Sequence, residues 1–284
     1  MRIGAHVSIQ GGLHNAVVRA QAIGAECLQI FISSPRSWQP PRHDAEVVRR
    51  FRAELAAAAL QPLFLHTIYL LNLASNSPPL WRRSVDSLVT CLSWADALGA
   101  AGVVTHLGSS ASAQREDAVS RVCQSLCEAL QAAPNDIPVL LETSAGMGGA
   151  IGNTFAELGT IVRSLAGHER LQVCLDTAHA FAAGYDVTDQ VRLEELLAEL
   201  DDHVGLHRLK LVHANDSKAA LGSGVDRHEN IGHGLIGEAG FATLLHHPVF
   251  QGLPLILEVP GDDRQGPDAA NILALRRLAQ QTVG

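Results

Sequence analysis

The 284 residues would suffice for two average domains or for one α/β barrel, because such barrels commonly use about 250 residues. Hydrophobic residues make up 47% of the chain and charged residues 18%, which excludes a disordered protein and allows a large buried core. The formal net charge of −8 argues against binding of a polyanion through the protein's overall charge. Contact with nucleic acid would therefore need a local positive field.

The sequence carries no signal for secretion or membrane insertion. The first residues lack the charged start and apolar run of a signal peptide, and no apolar stretch approaches the roughly 18 residues of a membrane span. The five cysteines include no Cys-x-x-Cys pair, so we expect free thiols. We therefore expect a cytoplasmic protein without a membrane partner.

Eight short apolar runs alternate with longer segments of helical periodicity, which is the pattern of βα units. Each run is almost wholly apolar, as expected of a parallel strand covered on both faces. The predicted strands are residues 3–6, 27–32, 63–66, 103–106, 139–142, 171–176, 209–213 and 255–258. Because no linker or low-complexity tract interrupts them, the sequence predicts a single domain over residues 1–284, a (β/α)8 TIM barrel.

The helical segments carry end signals. Asp44 precedes one apolar periodic segment and predicts an N-cap. Apolar residues recur at three- and four-residue intervals between residues 80 and 98, and Gly99 is placed to end that helix. Thr154 followed by Glu157 predicts a capping box, in which each side chain bonds the backbone N–H of the other residue.

Six successive predicted strands end in a side chain that can bind a metal. In a parallel barrel the carboxyl ends of the strands share one rim, so these residues are expected to converge. They are His66, His106, Glu142, Asp176, His213 and Glu258. Another three candidates lie just beyond two strand ends, namely His179, Asp226 and His228.

A single histidine at a strand end is more often structural than a metal ligand. Six titratable groups at six strand ends are different, because burying them together without counter-charge would cost many kcal/mol. Imidazole and carboxylate donors without thiolate indicate zinc or manganese. His6 ends the first strand and is expected beside the metals rather than on them, and Ile32 ends the second without a polar group.

The sequence around these candidates resembles the endonuclease IV family. The matching segments are Gly4-Ala5-His6-Val7-Ser8, His66-Thr67-Ile68-Tyr69-Leu70, Leu141-Glu142-Thr143-Ser144-Ala145-Gly146, Asp176-Thr177-Ala178-His179, Asn215-Asp216-Ser217-Lys218, Val225-Asp226-Arg227-His228 and Leu255-Ile256-Leu257-Glu258. The resemblance implies a DNA-repair endonuclease that hydrolyses the phosphodiester 5′ to an abasic site in duplex DNA. The products would be a 3′-hydroxyl and a 5′-deoxyribose phosphate.

The resemblance also implies three zinc ions, with manganese as an alternative at one position. The implied ligand sets are His66, His106 and Glu142 for one ion, Glu142, Asp176, His213 and Glu258 for a second, and His179, Asp226 and His228 for the third. Glu142 would bridge two metals and is the predicted catalytic residue. A small metal cluster of this kind can supply hydroxide at neutral pH and neutralise phosphate charge.

The family match assigns DNA contacts to Arg36, Tyr69 and Leu70. An abasic nucleotide turned out of the helix requires side chains that fill the gap in the base stack. Without the resemblance, a surface tyrosine would be as easily explained by packing over the barrel mouth. The expected partner is double-stranded DNA with abasic sites, bound by a monomer.

Four residues depart from the pattern of the resemblance and bear on DNA affinity more than on hydrolysis, namely Ser33, Ser34, Ser110 and His233. Two other functions are compatible with a polar barrel rim. A metal-dependent sugar isomerase or epimerase of the xylose-isomerase-like class needs about four to six protein ligands, which leaves three candidates without a role. A non-catalytic binder of damaged DNA would not need the complete ligand set.

Overall fold

The computed structural model describes residues 1–110 and 114–281 and shows a closed barrel of eight parallel strands with helices between them. In chain order the strands are β1 (Arg2–His6), β2 (Leu28–Phe31), β3 (Leu63–His66), β4 (Gly102–Thr105), β5 (Val139–Glu142), β6 (Leu171–Asp176), β7 (Leu209–His213), β8 (Asp216–Ser217), β9 (His228–Glu229) and β10 (Pro254–Leu257). The barrel order is β1-β10-β7-β6-β5-β4-β3-β2, and β8 and β9 form a separate antiparallel pair. The predicted single-domain TIM barrel is confirmed, and every barrel-strand boundary lies within one residue of its prediction.

The helices pack on the outer face of the barrel. They are α1 (Leu13–Ala22), α2 (Ala45–Ala57), α3 (Pro78–Leu98), α4 (Arg115–Ala132), α5 (Phe155–Ser164), α6 (Thr177–Ala183), α7 (Gln190–His203), α8 (Gly237–His246) and α9 (Ala269–Gln280). The described part of the chain contains no helix that is long and apolar enough to cross a membrane. The apolar sides of these helices and the outward side chains of the barrel strands form the larger hydrophobic core.

The predicted helix ends are confirmed in position, but not all of the predicted capping hydrogen bonds form. Gly99 ends α3 in the left-handed conformation, with φ of 70°. The Thr154 hydroxyl accepts from the Glu157 N–H at 3.2 Å, as a capping box requires. The Glu157 carboxylate instead accepts from the Gly152 N–H and pairs with Arg115, and the Asp44 side chain makes no capping bond. A bond to the residue five positions earlier and an ion pair with a distant arginine thus replace the reciprocal bond of the capping box.

The inner face of the barrel is built in two layers, because side chains two residues apart on a strand point to the same side. The lower layer is an apolar cluster of Cys27, Phe64, Val104, Leu140, Cys174, Leu211 and Ile256. Gly4 takes the corresponding position on β1, where a Cβ atom would lie 2.0 Å from the Cys27 carbonyl oxygen. The barrel is therefore closed below by apolar side chains.

The upper layer lies two residues further along each of these strands and is polar. Its members are His6, Gln29, His66, His106, Glu142, Asp176, His213 and Glu258. All of them except His6, His106 and Glu258 are buried, and those three are partly buried. The barrel thus collects eight polar side chains in one ring, directly above a dry apolar layer.

A buried carboxylate organises the segment that carries β9. Asp216 on β8 is fully buried, and its carboxylate oxygens accept from the backbone N–H groups of Gly232, Gly234 and Ile236 at 2.9 to 3.0 Å. Ser217 on β8 pairs with His228 on β9. The Asp216 carboxylate therefore ties the β8–β9 pair to the loop that leads into α8.

Replacing Asp216 by Asn is expected to destabilise the protein by roughly 3 kcal/mol, because an amide removes the charge and points N–H donors at backbone N–H donors. The measurement is the urea midpoint of unfolding at equal metal loading. Asp202→Asn, at an exposed position on α7, is the matched control and should change stability by less than about 0.5 kcal/mol. Equal midpoints for the two variants would contradict the role given to Asp216.

Candidate metal centre

The structure brings the nine predicted ligands together at the carboxyl ends of the barrel strands. Six belong to the polar ring. Of the other three, His179 lies on α6, Asp226 lies between β8 and β9, and His228 begins β9. Eight of the nine side chains form three groups whose donor atoms lie within 4.8 Å of one another: His66, His106 and Glu142; Glu142, Asp176, His213 and Glu258; and Asp176, His179 and His228. Glu142 and Asp176 each belong to two groups.

Glu142 lies at the centre of the first two groups. Its Oε2 atom is 3.1 Å from His66 Nε2 and 3.4 Å from His106 Nδ1. Its Oε1 atom is 3.1 Å from His213 Nδ1, which in turn lies 3.3 Å from Glu258 Oε2. One oxygen of this fully buried carboxylate therefore faces each group.

The third group is completed by Asp226, which is more exposed than its partners. Asp226 Oδ2 is 3.2 Å from His179 Nε2, and Asp226 Oδ1 is 3.4 Å from His228 Nε2. The two histidine Nε2 atoms face each other at 3.4 Å. Asp176 Oδ2 lies 3.6 Å from His228 Nε2, so this carboxylate stands between the second and third groups.

These separations suit zinc. Zinc bonds of about 2.0–2.1 Å to nitrogen or oxygen in a tetrahedron place neighbouring ligand atoms about 3.3 Å apart. The separations of 3.1 to 3.4 Å around Glu142, Glu258 and Asp226 lie close to this value, and those of Asp176 Oδ2 are longer, at 3.6 to 3.8 Å. Histidine and carboxylate donors together are also the set expected of zinc or manganese rather than of calcium.

Three of the histidines direct their Nε2 atoms toward the groups of donor atoms. His66 Nδ1 donates to the Thr67 carbonyl at 2.7 Å, and His179 Nδ1 donates to the Thr143 carbonyl at 2.9 Å. His228 Nδ1 donates to the Glu258 carbonyl at 3.2 Å. Because a carbonyl only accepts, each Nδ1 carries a proton. In the neutral form of each ring, Nε2 therefore offers its lone pair to the group, which is the arrangement of metal-bound histidine.

Charge is concentrated in this pocket. Burial disfavours the ionised form of Glu142, but His106 and His213 outweigh burial and hold the pKa of this carboxyl well below its usual range. Burial opposes protonation of His179, yet Asp176 and Asp226 raise its pKa well above the ordinary value. The carboxylates therefore stay ionised and attract either protons on the imidazoles or cations between them.

Several buried polar residues orient the candidate ligands and were missed by the rule of reading only strand ends. Asn215 donates to Asp176 Oδ2 at 2.7 Å and accepts from the Glu258 N–H at 2.7 Å. The Thr143 hydroxyl accepts from the Asp176 N–H at 2.9 Å. Gln29 lies in the polar ring itself. Its signal was a buried polar residue two positions after Cys27 in an apolar run.

A cleft of about 850 Å³ opens beside the three groups. His106, His179, His228 and Glu258 line its floor, and Tyr69, Ser33 and Ser34 line its side. The predicted DNA contacts Arg36, Tyr69 and Leu70 are all exposed around this mouth, with Tyr69 at 57%. The Tyr69 N–H donates to the Pro35 carbonyl at 3.0 Å, so the loops carrying Tyr69 and Arg36 are joined.

The other two departures from the family pattern lie away from the three groups of donor atoms. Ser110 bonds the Gly149 carbonyl through both its N–H and its hydroxyl. His233 lies in the loop that wraps Asp216, and its N–H donates to the Asn230 carbonyl at 2.9 Å. Neither residue is a member of the three groups.

The chain is similar to known TIM-barrel proteins over nearly its whole length. Residues 17–280 match the family described as xylose isomerase-like TIM barrel. The chain is 41% identical over 278 residues to a probable endonuclease 4 of Methanoculleus marisnigri, covering 98% of both chains. It superposes on the crystal structure of endonuclease IV from Thermus thermophilus with a TM-score of 0.87, 39% identity and coverage of 99% and 100%. A D-psicose 3-epimerase of Clostridium cellulolyticum shares the fold, with a TM-score of 0.67, 15% identity and coverage of 99% and 96%.

The three groups lead to a prediction about metal content. The purified protein, dialysed against zinc and then against metal-free buffer, is expected to retain close to three divalent ions per chain by elemental analysis. Removing them with a chelator should lower the melting temperature, because ligands at about 1,000 times their Kd contribute about 4 kcal/mol. Zinc added back should restore the melting temperature. Protein that retains no divalent ion would contradict the assignment.

Proposed function

Because the chain belongs to the endonuclease IV family of xylose isomerase-like TIM barrels, we propose that it is a DNA-repair endonuclease acting at abasic sites. It hydrolyses the phosphodiester 5′ to the base-less sugar in duplex DNA and leaves a 3′-hydroxyl and a 5′-deoxyribose phosphate. The observation that carries the proposal is the convergence of eight histidine and carboxylate side chains in three groups at the barrel mouth, with Asp226 beside the third group. The chain is also similar over 98% of its length to a probable endonuclease 4.

The proposed cofactor is a set of three zinc ions. His66, His106 and Glu142 hold one ion, and Glu142, Asp176, His213 and Glu258 hold another. His179, Asp226 and His228 would hold the third. Asp176 lies beside this set, with its Oδ2 atom 3.6 Å from His228 Nε2. The bound ions supply hydroxide at neutral pH and positive charge for the phosphate and the leaving oxygen.

Glu142 is the proposed catalytic residue within this site. Its two oxygens face two groups, and the low pKa of its carboxyl keeps it ionised. Each of its oxygens would therefore hold one cation, directly above the apolar layer that lines the barrel below the ring. The positive field is concentrated at the cleft, where a phosphate would approach, although the chain as a whole is acidic.

The cleft residues provide the DNA contacts in this proposal. The Arg36 guanidinium is exposed and offers a phosphate contact, and the exposed Tyr69 ring and Leu70 side chain fill the gap left by a displaced nucleotide. The Tyr69 ring packs edge-on against Phe31 with centroids 5.0 Å apart, so its position above the metal centre is supported from below. Burial, together with Glu258 and Glu142, raises the pKa of Tyr69 to about 12, so its hydroxyl remains neutral.

The first test is incision of a labelled duplex that contains one abasic site. The parent protein is expected to cut on the 5′ side of the lesion and to leave the matched undamaged duplex intact. Glu142→Gln should lower kcat by on the order of 10³-fold or more, because the bridging charge is lost. Glu54→Gln on α2, remote from the mouth, is the control and should cut like the parent.

Other outcomes of this assay would exclude the proposal. Binding of the abasic duplex without cutting by the zinc-loaded parent would indicate a recognition module. Interconversion of free sugars without DNA cleavage would indicate the isomerase or epimerase reaction.

A second prediction separates DNA contact from metal binding. Tyr69→Ala should weaken binding of the abasic duplex about 10- to 100-fold, the range expected when an aromatic contact to nucleic acid is lost, without changing zinc content. Leu273→Ala, at an exposed apolar position on α9, is the matched control. Affinity is measured by a binding titration in the inactive Glu142→Gln background for both variants, and zinc content is measured in the two single variants that keep Glu142. Unchanged affinity in the Tyr69 variant would remove the wedge assignment.

A further inference from the structure

Two members of the polar ring have no place among the proposed zinc ligands, namely His6 and Gln29. Gln29 is fully buried on β2, two residues above Cys27 in the apolar layer. A buried amide at this position would lose free energy unless its donor and acceptor atoms were both bonded. The hydrogen bonds of the Gln29 amide therefore indicate its role.

The Gln29 side chain joins two of the proposed ligands. Its Nε2 atom donates to Glu258 Oε1 at 2.8 Å, and its Oε1 atom lies 3.0 Å from His213 Nε2. An ionised carboxylate only accepts, so the amide nitrogen must face Glu258 and the amide oxygen must face His213. The Nε2 atom of His213 therefore carries a proton.

This bond determines which nitrogen of His213 faces the cations. With the proton of the neutral ring on Nε2, Nδ1 keeps the lone pair, and Nδ1 is the atom that lies 3.1 Å from Glu142 Oε1. The outer nitrogens of His66, His179 and His228 donate to backbone carbonyls, which no side-chain substitution removes. The tautomer of His213 depends instead on one replaceable side chain.

Gln29 also gives the two oxygens of the Glu258 carboxylate different partners. Glu258 Oε1 accepts from Gln29 and lies 2.6 Å from His6 Nδ1, so this oxygen is held by the protein. The other oxygen, Oε2, faces His213 Nδ1 at 3.3 Å. The contacts with Gln29 and His6 thus fix the rotation of the carboxylate and leave one oxygen toward the second group.

We propose that Gln29 is a positioning residue for the cation held by Glu142, Asp176, His213 and Glu258, because it sets the tautomer of His213 and the rotation of Glu258 together. This inference rests on the proposed function only in taking that group as a metal site. Partners that orient metal ligands in this way typically change metal affinity 10- to 100-fold when removed.

Two variants of similar length separate the contributions of Gln29. Gln29→Met removes both bonds, whereas Gln29→Glu keeps an acceptor for His213 and places a second carboxylate against Glu258. Gln172→Met, at a partly buried glutamine near the start of β6, is the matched control. Zinc affinity is measured by competition with a chromophoric zinc chelator, and incision of the abasic duplex is measured in parallel.

For Gln29→Met we expect one of the three zinc ions to be held about 10- to 100-fold more weakly and the other two as in the parent. Incision should fall at low zinc and recover with excess zinc, at unchanged KM for DNA. Gln29→Glu should also weaken one zinc ion, through repulsion of Glu258. Parent-like zinc retention in both Gln29 variants would overturn the proposal.

A measurement on the parent decides the matter if the variants fail to fold. Side-chain nitrogen NMR of the zinc-loaded protein should show His213 bound through Nδ1 with a protonated Nε2, and zinc on Nε2 would overturn the proposal. The two proposals also fail separately. A parent that binds three zinc ions but does not cut abasic DNA refutes the endonuclease, while zinc loss in Gln29→Met still supports the role of Gln29.

Discussion

The two-residue repeat of the barrel strands is the constraint on which the site depends. Because side chains at positions i and i+2 face the same side, one layer of apolar residues around Leu140 is followed by one layer of polar residues around Glu142. All eight strands run in the same direction, so the polar layer forms a ring at one end. A shift of one residue in any strand would turn its ring side chain to the outer face of the barrel.

This arrangement gives the pocket its electrostatic character. The apolar layer keeps water away from the lower side of Glu142, and charge interactions are stronger where water is excluded. The depressed pKa of Glu142 and the raised pKa of His179 both express mutual attraction that exceeds the cost of burial. Cations can take the place of the protons, which concentrates positive charge at the cleft of a protein whose net charge is −8.

The sequence predicted most of this architecture because the barrel imposes a simple pattern. Apolar runs located the strands to within one residue, and the polar residue ending six of them identified six members of the ring. Gln29 was not predicted, because its apolar run continues to Ile32. Only the last residue of each run was taken as a candidate, and in this run that residue is apolar. The ion-pair partner of Glu157 was also missed, because Arg115 is 42 residues away and reaches it through a tertiary contact that no local pattern records.

The barrel alone does not select the chemistry, since an epimerase with 15% identity has the same fold. The distinguishing donors lie outside the ring, on short segments that the barrel does not dictate. Asp226 and His228 are delivered by the β8–β9 pair, and that pair is tied by the buried carboxylate of Asp216 to the loop before α8. A one- or two-metal sugar site would leave these donors without a purpose. The step from a common barrel to the proposed three-cation site therefore depends on Asp216, which is not one of the proposed ligands but holds the segment that carries two of them.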